Sequence, residues 1–268
     1  MSVRTEHLLK TAKTAAANAG EHLRESLGRL NRHQVGMKGA GDYVTELDRQ
    51  SEELIIRTIK ASFPDHIIHA EESGKENQQS DYTWIIDPLD GTANYVQGIP
   101  VYGISIACLV KNRIMAGVIY DPERDEMFWA EKDGGAFMND KSIHVSEKNE
   151  IAYSMLASGF PWRSKDFLDA YMACFKELFL KAAGIRRMGA AAIDLAYTAC
   201  GRFDGFWEMK LQPWDIAAGI LLIEEAGGVV SDFHGRRDFF NTGNVVAGNK
   251  DTHSFILKAV KKHLSTIL

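Results

Sequence analysis

A layered α/β protein is the fold class predicted for this chain, from three observations. Short β-prone runs cluster in the middle of the sequence, helices and strands alternate through its second half, and the chain is long and apolar enough for a sizeable core. Its 268 residues are 45% apolar and 25% charged, the balance of a soluble globular protein. A chain of this length hides roughly 70–75% of its unfolded surface. It forms one large domain or two intimate ones, with a soft division near residue 150.

The elements follow in order. Leu8, Ala12, Ala15, Ala16, Ala19 and Leu23 recur three or four apart, so residues 5–27 read as an amphipathic helix. Residues 46–61 read as a second, with Leu47, Leu54, Ile55 and Ile59 inward and Pro64 as its stop. β-like runs come next at 66–70, 83–86, 103–110, 114–120 and 126–130, with turns at Lys111-Asn112 and at 122–125. A strand at 153–158 and a helix at 165–182 open the second half. A short strand (184–187) and an Ala-rich helix (190–200) ended by Gly201 follow. Then come a strand at 203–209, a helix at 215–226 closed by Gly227-Gly228, strands at 229–233 and 245–248, and a closing helix at 251–265.

Composition excludes several function classes. A net charge of −5 argues against a nucleic-acid groove, which needs Lys and Arg gathered on one face. Cys108, Cys174 and Cys200 have no CxxC spacing and cannot all pair. A zinc site or disulfide framework is therefore not expected, and a reducing cytoplasm fits. The N-terminus is charged throughout and lacks a signal-peptide core. The longest mainly apolar runs, 103–110 and 216–223, are eight residues each, against about 20 for a membrane span.

The chemistry concentrates in TWIIDPLDGTANY (83–95). A buried strand leads into Asp87 and Asp90, separated by Pro88 and Leu89. Pro88 removes a backbone donor and holds Asp87 away from helical geometry, which predicts a tight loop at the strand end. Gly91 permits close backbone approach, and Thr92 onward starts a helix whose N–H groups form an anion site. Two carboxylates so placed repel unless a cation joins them, and oxygen-only ligands favour Mg²⁺, Mn²⁺ or Ca²⁺ over zinc. Turn-capping aspartates are the plainer alternative.

Two further segments add carboxylates. Glu71 and Glu72 follow the strand at 66–70, where alternation turns one toward a site and the other to solvent; a solvated acidic strand end is the alternative. His69 reads as a structural or surface histidine. Asp215 begins the very apolar helix that follows Pro213-Trp214, where an aspartate also serves as a cap. Glu208 ends the strand at 203–209. Glu71, Asp87, Asp90 and Asp215 thus all sit at strand ends or helix starts, where open α/β folds bind ligands. Metal-assisted phosphoryl chemistry is the natural use of such a cluster.

With Glu71-Glu72-Ser73, WIIDPLDGTANY (84–95), PWDIAAG (213–219), EAGG (225–228), and Lys38-Gly39 through VTELD (44–48), the chain resembles the inositol monophosphatase family of Mg²⁺-dependent, lithium-sensitive phosphatases. Order and spacing agree over nearly the whole chain, most closely with the bacterial inositol-1-monophosphatases. The resemblance implies an alternating α-β-α-β-α sandwich of the inositol monophosphatase and fructose-1,6-bisphosphatase type. In it an N-terminal α+β half (1–150) carries the first metal motifs, and a C-terminal α/β half (151–268) carries the second, as one compact catalytic unit.

It also implies roles. Glu71, Asp87, the Leu89 carbonyl, Asp90 and Asp215 hold two or three Mg²⁺. The Gly91 and Thr92 N–H groups hold phosphate oxygens. Thr92 and Glu71 orient the attacking water, and Asp48 hydrogen-bonds Thr92. Asp90, the Ala191 backbone, Glu208 and Asp215 contact the substrate. Water attacks phosphorus directly, with no phosphoenzyme, since no Cys or Ser sits in a nucleophile motif.

Two positions depart from the family pattern: Ala190, where Ser or Thr is usual, and Gln212, where animal members carry histidine. Both bear on sugar preference. Inositol monophosphates are the favoured substrates, with fructose 1,6-bisphosphate, histidinol phosphate and 3′-phosphoadenosine 5′-phosphate as alternatives. Family members are commonly homodimers, and some bacterial ones associate with transcription or ribosome-assembly factors. Residues 163–166 and Arg236-Arg237 are the charged segments that would serve such a partner.

Overall fold

The computed structural model describes residues 3–29, 35–39, 42–160 and 165–264. Helix α1 (Val3–Ser26) buries the predicted Leu/Ala stripe from Leu8 to Leu23 almost completely. A hairpin of β1 (Val35–Gly39) and β2 (Asp42–Thr45) leads into α2 (Glu46–Ser62). Thr45 starts that helix. Its Oγ1 accepts the Leu47 N–H at 3.1 Å, and Asp48 answers by accepting the Thr45 N–H at 2.8 Å. This reciprocal capping satisfies donors that a helix start otherwise leaves orphaned.

The first sheet comprises β3 (Ile67–Ala70), β4 (Gly74–Lys75), β5 (Tyr82–Asp90), β6 (Gly103–Val110), β7 (Arg113–Asp121), β8 (Glu126–Glu131), β9 (Gly135–Met138) and β10 (Lys141–Ser142). Its order is β10-β9-β8-β7-β6-β5-β3-β4, and every pairing is antiparallel except β3 with β5. A short helix, α3 (Thr92–Val96), follows β5 directly. The second sheet takes β11 (Met155–Ser158), β12 (Gly184–Arg186), β13 (Gly205–Glu208), β14 (Val229–Ser231) and β15 (Val245–Gly248), in the order β12-β11-β13-β15-β14. The remaining helices are α4 (Leu168–Phe179), α5 (Ala191–Ala199), α6 (Pro213–Glu225), α7 (Phe239–Thr242) and α8 (Lys250–Leu264).

Strand alternation assigns these helices to layers. Trp84, Ile86, Ile104 and Ile106 turn to the α1/α2 side of the first sheet. Ile85, Ala107 and Ile119 turn the other way, onto α5 and α6. Those two helices are also covered by Ala157, Phe206 and Ala247 of the second sheet, whose opposite face presents Leu156, Trp207 and Val246 to α4 and α8. The result is the expected α-β-α-β-α sandwich. α6 is apolar on nearly every side because it lies between two sheets: Ile216 through Ile223 are all buried. Among the described residues no helix is long and apolar enough to cross a membrane. Cys108, Cys174 and Cys200 are all free thiols.

The structure corrects several sequence expectations. The Asp87–Asp90 segment is part of β5 rather than a loop after it. Asp87 pairs with Ser105 and Asp90 with Gly103, so one extra residue forms a bulge that accommodates the missing N–H of Pro88. The helix expected over 165–182 begins as a 3-10 turn, Lys165–Phe167, before α4. The strand expected at 153–158 is preceded by another 3-10 turn, Ile151–Tyr153. The strand expected at 203–209 is shorter because the Phe203 N–H closes back on the Tyr197 carbonyl, finishing the α5 turn. The strand expected at 229–233 stops at Ser231, since Asp232 turns its Oδ1 to the His234 and Arg236 N–H groups. The β9–β10 hairpin and α7 were not anticipated; each is four residues or fewer per element.

Thr45→Ala removes one side of the α2 cap, a loss of ~0.5–2 kcal/mol for such caps. It is expected to lower Tm by several degrees in thermal denaturation, at ~2–4 °C per kcal/mol for a chain of this size; an unchanged Tm would mean the cap does not hold α2.

Candidate active site

The site begins at the bulge in β5. Asp87 is buried at 2% exposure, and its Oδ1 accepts the Leu89 N–H at 3.0 Å. From α2, the Ser51 hydroxyl donates to the Pro88 carbonyl at 2.8 Å, fixing the bulge from behind. Gly91 then reverses the chain with φ 89, a left-handed conformation that glycine adopts without strain. A Cβ there would press within 3.0 Å of the Val101 carbonyl oxygen. Thr92 opens α3, and its Oγ1 lies 3.0 Å from both Asp48 Oδ1 and the Leu89 carbonyl, donating to one at a time. Burial pushes the Asp48 carboxyl up to about 6, against the hydrogen bonds from Thr45 and Thr92 that favour its ionised form.

Glu71 enters from the neighbouring strand. Its N–H donates to the Ile86 carbonyl at 3.2 Å as β3 ends. The turn that follows is held by Glu52 of α2, whose two carboxylate oxygens accept the Glu72 N–H at 2.8 Å and the Ser73 N–H at 2.9 Å. With the turn clamped, Glu71 lines the cavity and Glu72 does not. His69, half-buried, meets the Trp214 ring edge-on at 5.6 Å, a packing role.

Asp215 arrives on α6. The Gln212 N–H donates to its Oδ2 at 2.7 Å, so this aspartate does take part in capping. The Ser105 hydroxyl donates to the Trp214 carbonyl at 3.0 Å. Since Ser105 is the ladder partner of Asp87, this bond sets the start of α6 beside the β5 bulge.

The opposite wall comes from the second sheet. The Ala192 N–H, in the first turn of α5, donates to Asp90 Oδ2 at 2.6 Å. Ala191 lines the cavity beside it, and Ala190, the residue before the helix, offers no side-chain cap. Glu208, at the end of β13, passes over Gly159, where a Cβ would overlap its carboxylate. Lys165 and Arg187 bring positive charge to the rim of a cavity of about 500 Å³.

All nine cavity positions expected from sequence, Glu71, Asp87, Leu89, Asp90, Gly91, Thr92, Ala191, Glu208 and Asp215, line this one space. Asp48 stands behind it, hydrogen-bonded to Thr92. Sequence reasoning missed Glu52, Asp194, Arg187 and Tyr43. It also took Lys165 for surface charge, whereas the residue faces the cavity. Residues 161–164, with Arg163, lie outside the described residues, as does the side chain of Lys38. A five-residue helix has little macrodipole, so an anion at the start of α3 would meet the N–H groups themselves.

Electrostatics shows why this space suits a cation. Burial, followed by the charges of Glu71, Asp90 and Asp215, pushes the Asp87 carboxyl well above the usual carboxylate range. Among the described residues no three His, Cys, Asp or Glu side chains form a ready-made metal cage. The carboxylates instead surround a shared space, and they leave room for water or substrate oxygens to complete a coordination shell. The donors are carboxylate oxygens and the Leu89 carbonyl, with no nitrogen or sulfur. That set fits a hard divalent cation.

Comparison with known proteins agrees with this geometry. Residues 4–265 match the inositol monophosphatase family. The chain is 44% identical over 262 residues to a Pseudomonas aeruginosa protein named Nus factor SuhB, covering 96% of this chain and 97% of that one. It is 43% identical over 259 residues to a Mesorhizobium japonicum inositol-1-monophosphatase, with coverage of 96% and 97%. The crystal structure of the extragenic suppressor protein suhB from Bartonella henselae superposes with a TM-score of 0.93 at 40% identity, covering 96% of this chain and all of that one. The two sheets, the layered helices and the carboxylate-lined cavity are therefore those of a phosphatase fold of a generally metal-dependent kind, and the chain belongs to the inositol monophosphatase family.

Proposed function

We propose that this protein is a Mg²⁺-dependent phosphomonoesterase that hydrolyses inositol 1-phosphate to inositol and phosphate. The observation that carries the reading is the burial of Asp87 within reach of the charges of Glu71, Asp90 and Asp215, directly beside the Gly91–Thr92 backbone turn. The M. japonicum relative's name supports the substrate.

Glu71, Asp87, the Leu89 carbonyl, Asp90 and Asp215 would hold two or three Mg²⁺, which supply positive charge to the phosphate and acidify bound water. The chain's own groups do the positioning. The Gly91 and Thr92 N–H groups bind phosphate oxygens. The Thr92 hydroxyl, backed by Asp48 at 3.0 Å, aligns the attacking water together with Glu71. Ser51 and Glu52 keep the two carboxylate-bearing turns rigid, so little reorganisation is left for the reaction itself. Glu208, the Ala191 backbone, Asp90 and Asp215 hold the alcohol part of the ester. Ala190 leaves space where a hydroxyl contact is usual, which widens the pocket for the polyol.

We place the protein in the cytoplasm and read it as a homodimer, the second of these supported by the exposed Leu168, Met172 and Phe179 on one face of α4. A second role, binding a transcription complex, rests on the Nus factor name of the P. aeruginosa relative. Of the charged segments considered for it, Lys165 faces the cavity, and Arg237 is paired with Glu224.

Phosphate release from inositol 1-phosphate, fructose 1,6-bisphosphate, histidinol phosphate and 3′-phosphoadenosine 5′-phosphate tests the reading, with Mg²⁺ titrated and Li⁺ added. Inositol 1-phosphate is expected to give the highest kcat/KM, activity to vanish on chelation, and Li⁺ to inhibit uncompetitively. Release from none of the four would overturn it.

Thermal denaturation reads the cation site without turnover. Asp87 has a folded-state carboxyl raised above its unfolded value, so ionising it costs stability at neutral pH; that cost shrinks as pH falls from the raised folded value toward the unfolded one and is gone below about 4. In chelator at pH 7.5, Asp87→Asn is expected to raise Tm, ~2–4 °C per kcal/mol of relieved repulsion. It is also expected to lose most of the Tm gain that wild type shows with Mg²⁺. A lowered Tm with an undiminished Mg²⁺ gain would place the cation elsewhere.

Recognition is read separately from chemistry. Glu208→Gln leaves substrate hydroxyls poorly paired, about 1–3 kcal/mol, or roughly 5- to 150-fold. The ratio of kcat/KM for inositol 1-phosphate over p-nitrophenyl phosphate is expected to fall by that factor. Equal losses on the two esters, with a raised Mg²⁺ requirement, would assign Glu208 to the cation site.

A further inference from the structure

One carboxyl group in the cavity wall has no part in the chemistry described so far. Asp194 sits one turn into α5 at 1% exposure, yet it lines the same cavity as Glu208, Arg187 and Ala191. Among the described residues its Oδ1 has no hydrogen-bond partner. A buried polar oxygen left unmatched is destabilising, and native proteins retain few of them. Here the residue that carries the unmatched oxygen lines a space that a ligand enters, whereas a purely structural carboxyl is normally satisfied within the fold.

Small residues surround Asp194 on the cavity side. Of the five residues before it, Gly189, Ala190, Ala191 and Ala192 carry nothing larger than a methyl group, and Ile193 alone is larger. Side chains on a helix lean toward its N-terminus, so Asp194 leans toward the end of α5 that binds Asp90 through the Ala192 N–H. Its own N–H is taken by the Ala190 carbonyl at 3.0 Å, and its carbonyl accepts the Thr198 hydroxyl at 2.8 Å. Only the carboxyl group remains to meet a ligand.

We propose that Asp194 is a specificity-determining residue whose carboxyl, beside Glu208, reads a hydroxyl on the carbon framework of the substrate and thereby selects phosphate esters of polyols. This rests on the phosphatase reading of the same cavity. Burial, then the charges of Glu208 and Asp90, holds the Asp194 carboxyl well above the usual range, with Arg187 acting against them. A carboxyl group that holds its proton both donates and accepts a hydrogen bond, and the carboxyl oxygens of Glu208 beside it accept. Together they match a hydroxyl that must accept one hydrogen bond and donate another.

The test compares wild type, Asp194→Leu and Asp194→Asn at saturating Mg²⁺, measuring kcat/KM for inositol 1-phosphate and for p-nitrophenyl phosphate. The Leu variant keeps the branching of the side chain without polar atoms and is expected to lower the ratio of the two about tenfold or more, chiefly through KM for the polyol ester. The Asn variant keeps a donor and an acceptor in the same shape and is expected to restore the ratio to within about threefold. If the Leu variant does not fold, Asp194→Ala is read in its place. An unchanged ratio in the apolar variant, or an Asn variant as poor as the apolar one, overturns the proposal while leaving the phosphatase reading intact. Wild-type protein that releases phosphate from neither ester overturns both.

Discussion

Like charges brought together at the end of a strand are the constraint on which the rest of this molecule depends. Asp87 is buried and feels Glu71, Asp90 and Asp215 at once, an arrangement that opposes folding when no cation neutralises it. It is tolerated because each carboxylate is delivered by an element stabilised elsewhere. β5 is locked between β3 and β6, its bulge is fastened by Ser51, and α6 is pinned by Ser105 and capped through Gln212. The Glu71 turn hangs on both oxygens of Glu52. The repulsion is therefore stored locally, and the two apolar interfaces on either side of the first sheet resist it.

The layering also divides the work. The cavity's clustered carboxylates and the Gly91–Thr92 turn come from the first sheet and α6, the side that handles charge on phosphorus in the function we propose. The groups assigned in that proposal to the rest of the ester, Ala191, Asp194 and Glu208, come from α5 and the second sheet. The Ala192 N–H to Asp90 bond joins the two walls. Changes on the α5 side, where Ala190 lines the cavity, are therefore expected to alter which alcohol is held while leaving the carboxylate cluster in place, whereas Gln212 belongs to the α6 start and holds Asp215.

Much of this was legible in the linear sequence because the relevant signals are local. TWIIDPLDGTANY concentrates a strand, two aspartates, a glycine and a helix start in thirteen residues, and the periodicity of the first two helices follows from residues three and four apart. What stayed hidden depends on tertiary contact. Glu52 reads as an ordinary polar position on an amphipathic helix, and only the fold reveals that it clamps a turn some twenty residues later. Asp194 looks like one polar residue in an Ala-rich core helix; nothing local says that its carboxyl meets a cavity. Asp87–Asp90 was expected to leave the sheet because Pro88 breaks a ladder, and the bulge opposite Ser105 and Gly103 is a property of the pairing strand. The β9–β10 hairpin is too short for period-two alternation to show.

The central claim is that these carboxylates converge in order to hold divalent cations. Anomalous diffraction from crystals soaked in Mn²⁺ tests it most directly, since Mn²⁺ takes the same oxygen ligands as Mg²⁺ and can be located without reference to turnover. Two or three anomalous peaks are predicted, bonded to Glu71, Asp87, the Leu89 carbonyl, Asp90 and Asp215. An empty cavity at saturating Mn²⁺, or peaks held by other residues, would contradict it.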